Sequence, residues 1–264
     1  MCGESVPDPN RCGERGPVTT VSVVIPCYND AVFLEVVLGA LAAQTRRADE
    51  VIVVDNASTD ASARVARAAG AVLVVEPVHG IWPAAATGYD AASGDLIARL
   101  DADSVPPPDW IERSERILTL APLVDVVTGP GDFYDCPRFE AALGRFVYLG
   151  GYFKLIGLWL AQPPVFGSNF VMRRSVWAEV RTLVHRQRDD VHDDLDLSLH
   201  LPPSVTVRFE PSLRVGISAR PFDTWRGVAR RLDWAYRTLA LHWPEGSPWR
   251  LRRARRAWAR RLRT

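Results

Sequence analysis

Lysine is nearly absent from this sequence. Of 32 basic side chains in 264 residues, Lys154 alone is not arginine. We read that bias as genomic base composition rather than function. Cysteine is also sparse. Cys2, Cys12, Cys27 and Cys136 have the spacing of neither a zinc site nor a disulfide framework, so a reduced, intracellular compartment is expected. No Gly-x-Gly-x-x-Gly and no Gly-x-x-x-x-Gly-Lys follows the first apolar run, which excludes a glycine loop that cradles phosphate. A bilayer crossing needs about 20 unbroken apolar residues. The most apolar stretch, 141–161, is interrupted by Arg145, Gly150-Gly151 and Lys154. It is not expected to cross a membrane; a buried helix, a wall for an apolar acceptor and an interfacial segment remain open. Residues 1–18 are rich in Gly, Pro and charge, without the apolar core of a signal peptide, and are expected to form a flexible leader.

What is present has the balance of a soluble globular chain, 47% hydrophobic and 24% charged, long enough for one large domain or two small ones. The net charge of +1 hides an asymmetry. Residues 249–264 hold eight arginines and no acid, which leaves 24 basic against 31 acidic side chains elsewhere, a body near −7. Leu251, Ala254, Trp258 and Leu262 share one face of a helix in that tail. A basic amphipathic helix with tryptophan suits a membrane surface, and a solvated basic terminus is the plainer alternative. The acidic body argues against a nucleic-acid partner.

Apolar runs alternate with helical patterns through the first hundred residues. Strands are expected over 21–25, 51–54, 72–75 and 96–100, and helices over 31–43, 60–69 and 84–92, with Asp30 placed to cap the first helix. This alternation predicts a parallel, doubly wound sheet. Polar residues then fall where strands end: Tyr28 and Asp30, Asp55, and finally Asp101 and Asp103. Open α/β sheets bind ligands at that edge. Asp-x-Asp is also a common polar turn, but two carboxylates are enough to hold a divalent cation on phosphate oxygens.

Further on, a helix is expected over 109–119 and a strand over 124–128. Residues 166–172 read as a strand or turn in which Gly167 permits close backbone approach. A second acidic cluster, Asp193, Asp194 and Asp196 with Leu195, Leu197 and Leu199, suggests the start of an amphipathic helix. One of these carboxylates could act as a general base, or they could simply cap the helix. His192 could ligate a metal, although a lone histidine is more often structural.

Taken together the segments resemble a family-two inverting glycosyltransferase of the glycosyltransferase A fold. The matching pieces are 21–30 (VSVVIPCYND), 41–45 (LAAQT), 51–60 (VIVVDNASTD), 98–110 (ARLDADSVPPPDW), 167–174 (GSNFVMRR) and 193–199 (DDLDLSL), in the family's order. The resemblance implies an α/β catalytic domain over 19–220, with a single Rossmann-like, mostly parallel sheet flanked by helices. Its nucleotide-sugar half would span 19–104 and its acceptor half 105–220, followed by a helical aromatic and basic extension over 221–264. Pro26, Tyr28 and Asp30 would line the nucleotide pocket, Asp55 and Asn56 would serve the base, and Asp101 and Ala102 the diphosphate sugar. Asp101 and Asp103 would hold Mg²⁺ or Mn²⁺. Asp194 would be the catalytic base with Asp193 beside it, and Gly167, Ser168 and Asn169 would shape the acceptor or sugar pocket.

Two departures stand out. The family's Arg-Asn before the Asp-x-Asp strand is replaced within Ala84-Ala85-Ala86-Thr87-Gly88, so a basic contact near the diphosphate is missing there. The Gln-x-x-Arg-Trp of processive synthases is absent, so a single sugar transfer is expected. The implied partners are a nucleotide diphosphate sugar and a hydroxyl acceptor, lipid-linked or part of a cell-envelope glycan, at the cytoplasmic face of a membrane. A nucleotidyltransferase-like protein and a non-catalytic nucleotide-sugar-binding protein of the same fold are the alternatives.

Overall fold

The computed structural model describes residues 19–137, 150–220 and 224–261. The expected leader, the first part of the apolar stretch and Leu262 lie outside the described residues.

Unbroken β-branched runs fold as parallel strands covered on both faces. β1 (Val21–Cys27) is buried at every residue and pairs in parallel with β2 (Glu50–Asp55) on one side and β4 (Leu96–Arg99) on the other. β3 (Val72–Val75) lies outside β2. Beyond β4 come β7 (Phe170–Arg173), β5 (Val126–Thr128) and β8 (Val207–Phe209), giving the order β3-β2-β1-β4-β7-β5-β8. β7 is antiparallel to both neighbours and the other pairs are parallel. A separate parallel pair joins β6 (Gly131–Phe133) to β9 (Val215–Ile217).

Because side chains alternate along a strand, β1 feeds two cores. Val23 and Ile25 pack with Leu34 and Leu38 of α1 (Ala31–Ala42) and with Trp110 and Ile111 of α4 (Trp110–Leu120). Val24 packs on the opposite face with Trp82, Ala84, Ala85, Ala86 and Tyr89 of α3 (Ile81–Ala91). α2 (Ser62–Ala68) crosses between β2 and β3. The third helix begins three residues earlier than expected, with Pro83 in its first turn, where no N–H is required. Its small residues let it lie flat on the sheet. A Cβ on Gly88 would sit 2.3 Å from Val24 Cγ1 and 2.9 Å from Val54 Cγ2.

The remaining described elements are helical. A π-helical turn (Tyr152–Ile156) runs into α5 (Gly157–Leu160), and α6 (Arg174–Val180), α7 (Asp193–His200), α8 (Trp225–Leu241) and α9 (Pro248–Arg261) follow. No described helix is long and apolar enough to cross a membrane. α9 does not present the expected apolar face to solvent. Leu251 packs with Leu160, Leu195 and Leu199. Arg252 donates to Leu158 O, and Arg255 donates to Leu160 O at 3.1 Å and Val205 O at 3.3 Å. Ala254 is exposed, so the docked face turns toward Arg255 and the half-buried Trp258. Unpaired carbonyls at the end of α5 attract these guanidiniums, as helix C-termini do.

The packing of α3 gives a direct test. Gly88→Ala should destabilise the protein by about 1–3 kcal/mol through overpacking. Gly39→Ala, in α1 with nothing near the added methyl, should stabilise it by about 0.5–1 kcal/mol. Urea unfolding midpoints check both signs.

Candidate active site

The sheet reverses its direction of winding between β1 and β4, and their carboxyl ends open the crevice where such sheets bind ligands. β1 delivers Pro26 and then Tyr28 and Asp30. β4 delivers Arg99 and then Asp101, Ala102 and Asp103.

Arg99 organises the centre. Its side chain is buried, donates to Asp101 Oδ1 at 2.9 Å, and forms a second, very close ion pair with Asp193. It also reaches Tyr89 OH at 3.3 Å. Asp101 accepts a further hydrogen bond from Ser168 Oγ on its other oxygen. Asp193 opens α7, so Arg99 fixes the start of that helix, and Asp194 follows. Asp194 accepts from Gly167 N–H at 3.0 Å and from Leu195 N–H at 2.7 Å. Burial and the neighbouring Asp193 charge raise its proton affinity above the ordinary carboxylate range, against the pull of His192, the Gly167 N–H and Arg99. A Cβ on Gly167 would lie 3.3 Å from Arg99 Nη1, which accounts for the close approach expected there.

Two adjoining clefts meet at this centre. One, of about 650 Å³, is lined by Pro26, Tyr28, Asp30, Asn56, Ala102 and Asp103, among others. The other, of about 580 Å³, includes Arg99, Gly167, Asp193 and Asp194 with an apolar wall of Tyr152, Leu155, Ile156, Val228 and Leu232. Asp101, Ser168 and Phe166 line both.

Several expected residues have other duties. Asp30 stands at the start of α1 but makes no capping bond; Asp60 Oδ2 accepts from Ala31 N–H at 3.0 Å instead. Asp30 pairs with Arg220 at 2.8 Å, and Arg220 also pairs with Asp103 at 3.0 Å. Asp55 does not line either cleft, and its Oδ1 accepts from Ser58 N–H at 2.9 Å. Asn56 donates to Glu76 O and Val78 O and accepts from Gly80 N–H, so its amide shapes the cleft floor. Asn169 does not reach a cleft. It is buried, donating to Pro130 O at 3.2 Å and Leu213 O at 2.7 Å and accepting from Trp110 Nε1–H at 2.9 Å. His192 Nε2 meets Arg231 O at 2.9 Å, which makes it a structural tie between α7 and α8. Cys27, buried under the cleft, is a free thiol.

The model of the family described as Glycosyl transferase family 2 matches residues 22–181. The chain belongs to that family. Among its curated relatives are glycosyltransferase AglE of Haloferax volcanii, 35% identical over 43% of this chain and 40% of its own length, and an undecaprenyl-phosphate 4-deoxy-4-formamido-L-arabinose transferase of Pseudomonas paraeruginosa, 36% identical over 37% of this chain and 32% of its own. The matched region thus spans well under half of these relatives. The fold is similar to that of S. aureus TarS, with a TM-score of 0.59 at 14% identity over 79% of this chain and 38% of that one. It is also similar to glucosyl-3-phosphoglycerate synthase of Mycobacterium tuberculosis, solved with Mn²⁺ and UDP, with a TM-score of 0.53 at 20% identity over 78% and 74% of the two chains. These likenesses establish the glycosyltransferase A fold.

A divalent cation of the kind that the family resemblance implies fits the residues present. Asp101 and Asp103 offer hard oxygen donors at the mouth of the cleft, suited to Mg²⁺ or Mn²⁺. Burial, then the Asp101 charge, pushes the Asp103 carboxyl up to about 6 in spite of Arg220. Negative charge is therefore under-compensated there. Sequence reasoning missed Arg220 and the α8 arginines Arg230 and Arg231, which bring positive charge to the cleft of Tyr28 and Asp103. Nothing in their local pattern marks them; only the tertiary fold brings them in.

Removing Arg99 should leave Asp193 buried without its counter-charge. Arg99→Met is expected to cost about 3–5 kcal/mol, read as a lowered urea midpoint. The circular dichroism of the native state below that midpoint should be retained.

Proposed function

We propose that this chain transfers one sugar, with inversion, from a nucleotide diphosphate donor to a hydroxyl acceptor. The observation that carries the reading is the pair of clefts meeting at Asp101 and Ser168, with a basic carboxylate on the acceptor side. The nucleotide diphosphate occupies the cleft of Pro26, Tyr28 and Asp103. Tyr28 is about half exposed and offers its ring to the base. Asp101 and Asp103 would hold a divalent cation, which supplies charge neutralisation to a departing diphosphate.

Asp194 takes the proton from the acceptor hydroxyl. Its raised proton affinity makes it a better base than a free carboxylate, and the N–H groups of Gly167 and Leu195 aim it. Asp193 is engaged by Arg99 and acts as a positioning residue. Arg99 holds Asp101 and the start of α7 together, so the two sides of the reaction keep one geometry.

The acceptor-side wall of Tyr152, Leu155, Ile156 and Leu232 is apolar, with Leu155 and Leu232 more than half exposed. It supports a lipid-linked acceptor, the class that the name of the P. paraeruginosa relative also contains. A π-helical turn forms part of that wall, and such turns often mark functional sites. Arg253, Arg256 and Arg260 on α9 surround a hollow of about 440 Å³ beside Trp249, a surface suited to anionic headgroups at the cytoplasmic face of a membrane.

Two experiments test these statements. A thermal-shift panel of UDP-, GDP- and dTDP-sugars with and without Mn²⁺ should show a donor that raises Tm. With that donor Asp194→Asn should lose about 10²–10⁴-fold in transfer while the shift persists. A shift with full activity in Asp194→Asn removes the base assignment, and no shift or turnover with any donor removes the enzyme reading. For the surface, Arg253→Glu/Arg256→Glu/Arg260→Glu should abolish co-sedimentation with anionic vesicles without lowering Tm. Unchanged co-sedimentation sinks the α9 assignment.

A further inference from the structure

Away from both clefts, three of the five histidines converge on one buried aspartate. Asp196 lies in α7 and is fully buried. Its Oδ2 accepts from Trp82 Nε1–H at 2.8 Å and from the main-chain N–H of His185 at 2.9 Å. That turns Oδ1 toward the imidazoles, 2.8 Å from His185 Nδ1 and 3.2 Å from His242 Nε2. His200 Nδ1 stands 3.4 Å from His242 Nε2 and 2.9 Å from the main-chain oxygen of Asp196; that carbonyl accepts, so Nδ1 carries a proton in this arrangement and would pass it to Nε2 on ligating a metal. One donor atom from each of the four residues lies within 4.8 Å of all the others.

The tautomer of His242 sharpens the point. Its Nδ1 is 2.7 Å from Thr238 O, and a carbonyl can only accept, so Nδ1 carries the proton. In the neutral ring Nε2 then directs a lone pair at a carboxylate oxygen. Something positive belongs between them. A single proton would relieve one such contact. A metal ion would collect a donor from all four residues at once.

We propose that His185, Asp196, His200 and His242 bind a zinc-class transition-metal ion that fastens α8 to α7. Three imidazoles and one carboxylate are the donors that zinc takes and that magnesium or calcium does not favour. Bonds of about 2.0–2.1 Å in a tetrahedron separate ligand atoms by about 3.3–3.4 Å, and the contacts of 2.8, 3.2 and 3.4 Å bracket that spacing. The outer contacts are already in place. Zinc-bound histidine donates its second nitrogen to a carbonyl, and ligating carboxylates are themselves hydrogen-bonded. Thr238 O and the two donors on Asp196 Oδ2 do both.

The ligands come from three segments: the loop after α6, α7 itself, and the residue ending α8. α8 carries Arg231, Leu232 and Trp234 to the cleft walls, so the ion would set where that wall stands. The site does not depend on the glycosyl-transfer reading.

Metal content of the tag-free full chain, grown with zinc and measured after gel filtration, tests the proposal. About one zinc per chain is expected. The His185 ring is the most exposed of the three, at 34%, and is the safest to change. His185→Gln should retain less than about one tenth of the zinc. Chelation should lower the Tm of the wild type but not of that variant. Cobalt(II) loading should give the intense visible bands of four-coordinate cobalt in the wild type alone. A wild-type chain without zinc overturns the proposal in favour of a hydrogen-bonded histidine cluster only. So does zinc content unchanged in both His185→Gln and His242→Gln.

Discussion

The buried guanidinium of Arg99 is the constraint on which the centre of this protein depends. A charge withdrawn from water costs several kcal/mol unless its partners are close and well aimed. Here the partners are Asp101 at the end of β4 and Asp193 at the start of α7. Neither can drift without leaving a charge stranded. Asp193 thus sets the rotation of α7, and with it the direction of Asp194. The chain above must also stay thin. Gly167 passes so close that a side chain there would press on the guanidinium, and the same segment presents its N–H to Asp194 and the Ser168 hydroxyl to Asp101.

The charge count around this pair is unbalanced by design of the sequence. Arg99 serves two carboxylates, Arg220 serves two more, and Asp194 has hydrogen bonds but no dedicated cation. Burial first, and then the neighbouring Asp101 and Asp193 charges, raise the proton affinity of Asp103 and Asp194. The excess lies on two sides of the shared point Asp101. On the donor side it favours a divalent cation. On the acceptor side it favours a carboxylate that takes a proton. In the proposed transfer one electrostatic condition would thereby prepare both halves of the displacement, because pre-set charge needs no reorganisation during reaction.

Local patterning made the first half of the fold legible. The β-branched runs, the glycine and proline stops and the spacing of helical leucines located the strands and helices up to β4, and the carboxyl-edge rule put Asp101 and Asp103 at the crevice. The second half was less legible because its contacts are long-range. Asn169 sits in the family motif beside Ser168, yet the backbone turns it inward, where three hydrogen bonds consume it. Asp30 looked like a cap, but Asp60 from the next loop reaches that N–H and frees Asp30 for Arg220. Arg99 carries no role in the local pattern, because nothing local says that a strand arginine will be buried. Its role needed Asp193 to be seen beneath it.

The same limit explains why the C-terminal helices read as an appendage. Their arginines and tryptophans look like a surface tail when only local periodicity is used. In the structure α8 builds walls of both clefts, and α9 is held by guanidinium bonds to the exposed carbonyls ending α5. The apolar acceptor-side wall therefore has two independent supports. One is the π-helical turn over Tyr152–Ile156, where Tyr152 OH is anchored on Val165 O. The other is α8, tied to α7 through His192, whose ring meets Arg231 O and whose main-chain N–H donates to Thr238 Oγ1. Because Asp193 and Asp194 begin the same α7 to which α8 is tied, a shift of the C-terminal helices would move the apolar wall relative to Asp194. Loss of the tail's attachment should reach the carboxylates of α7 through the packing of Leu251 on Leu195 and Leu199, although no residue of α9 lines either cleft.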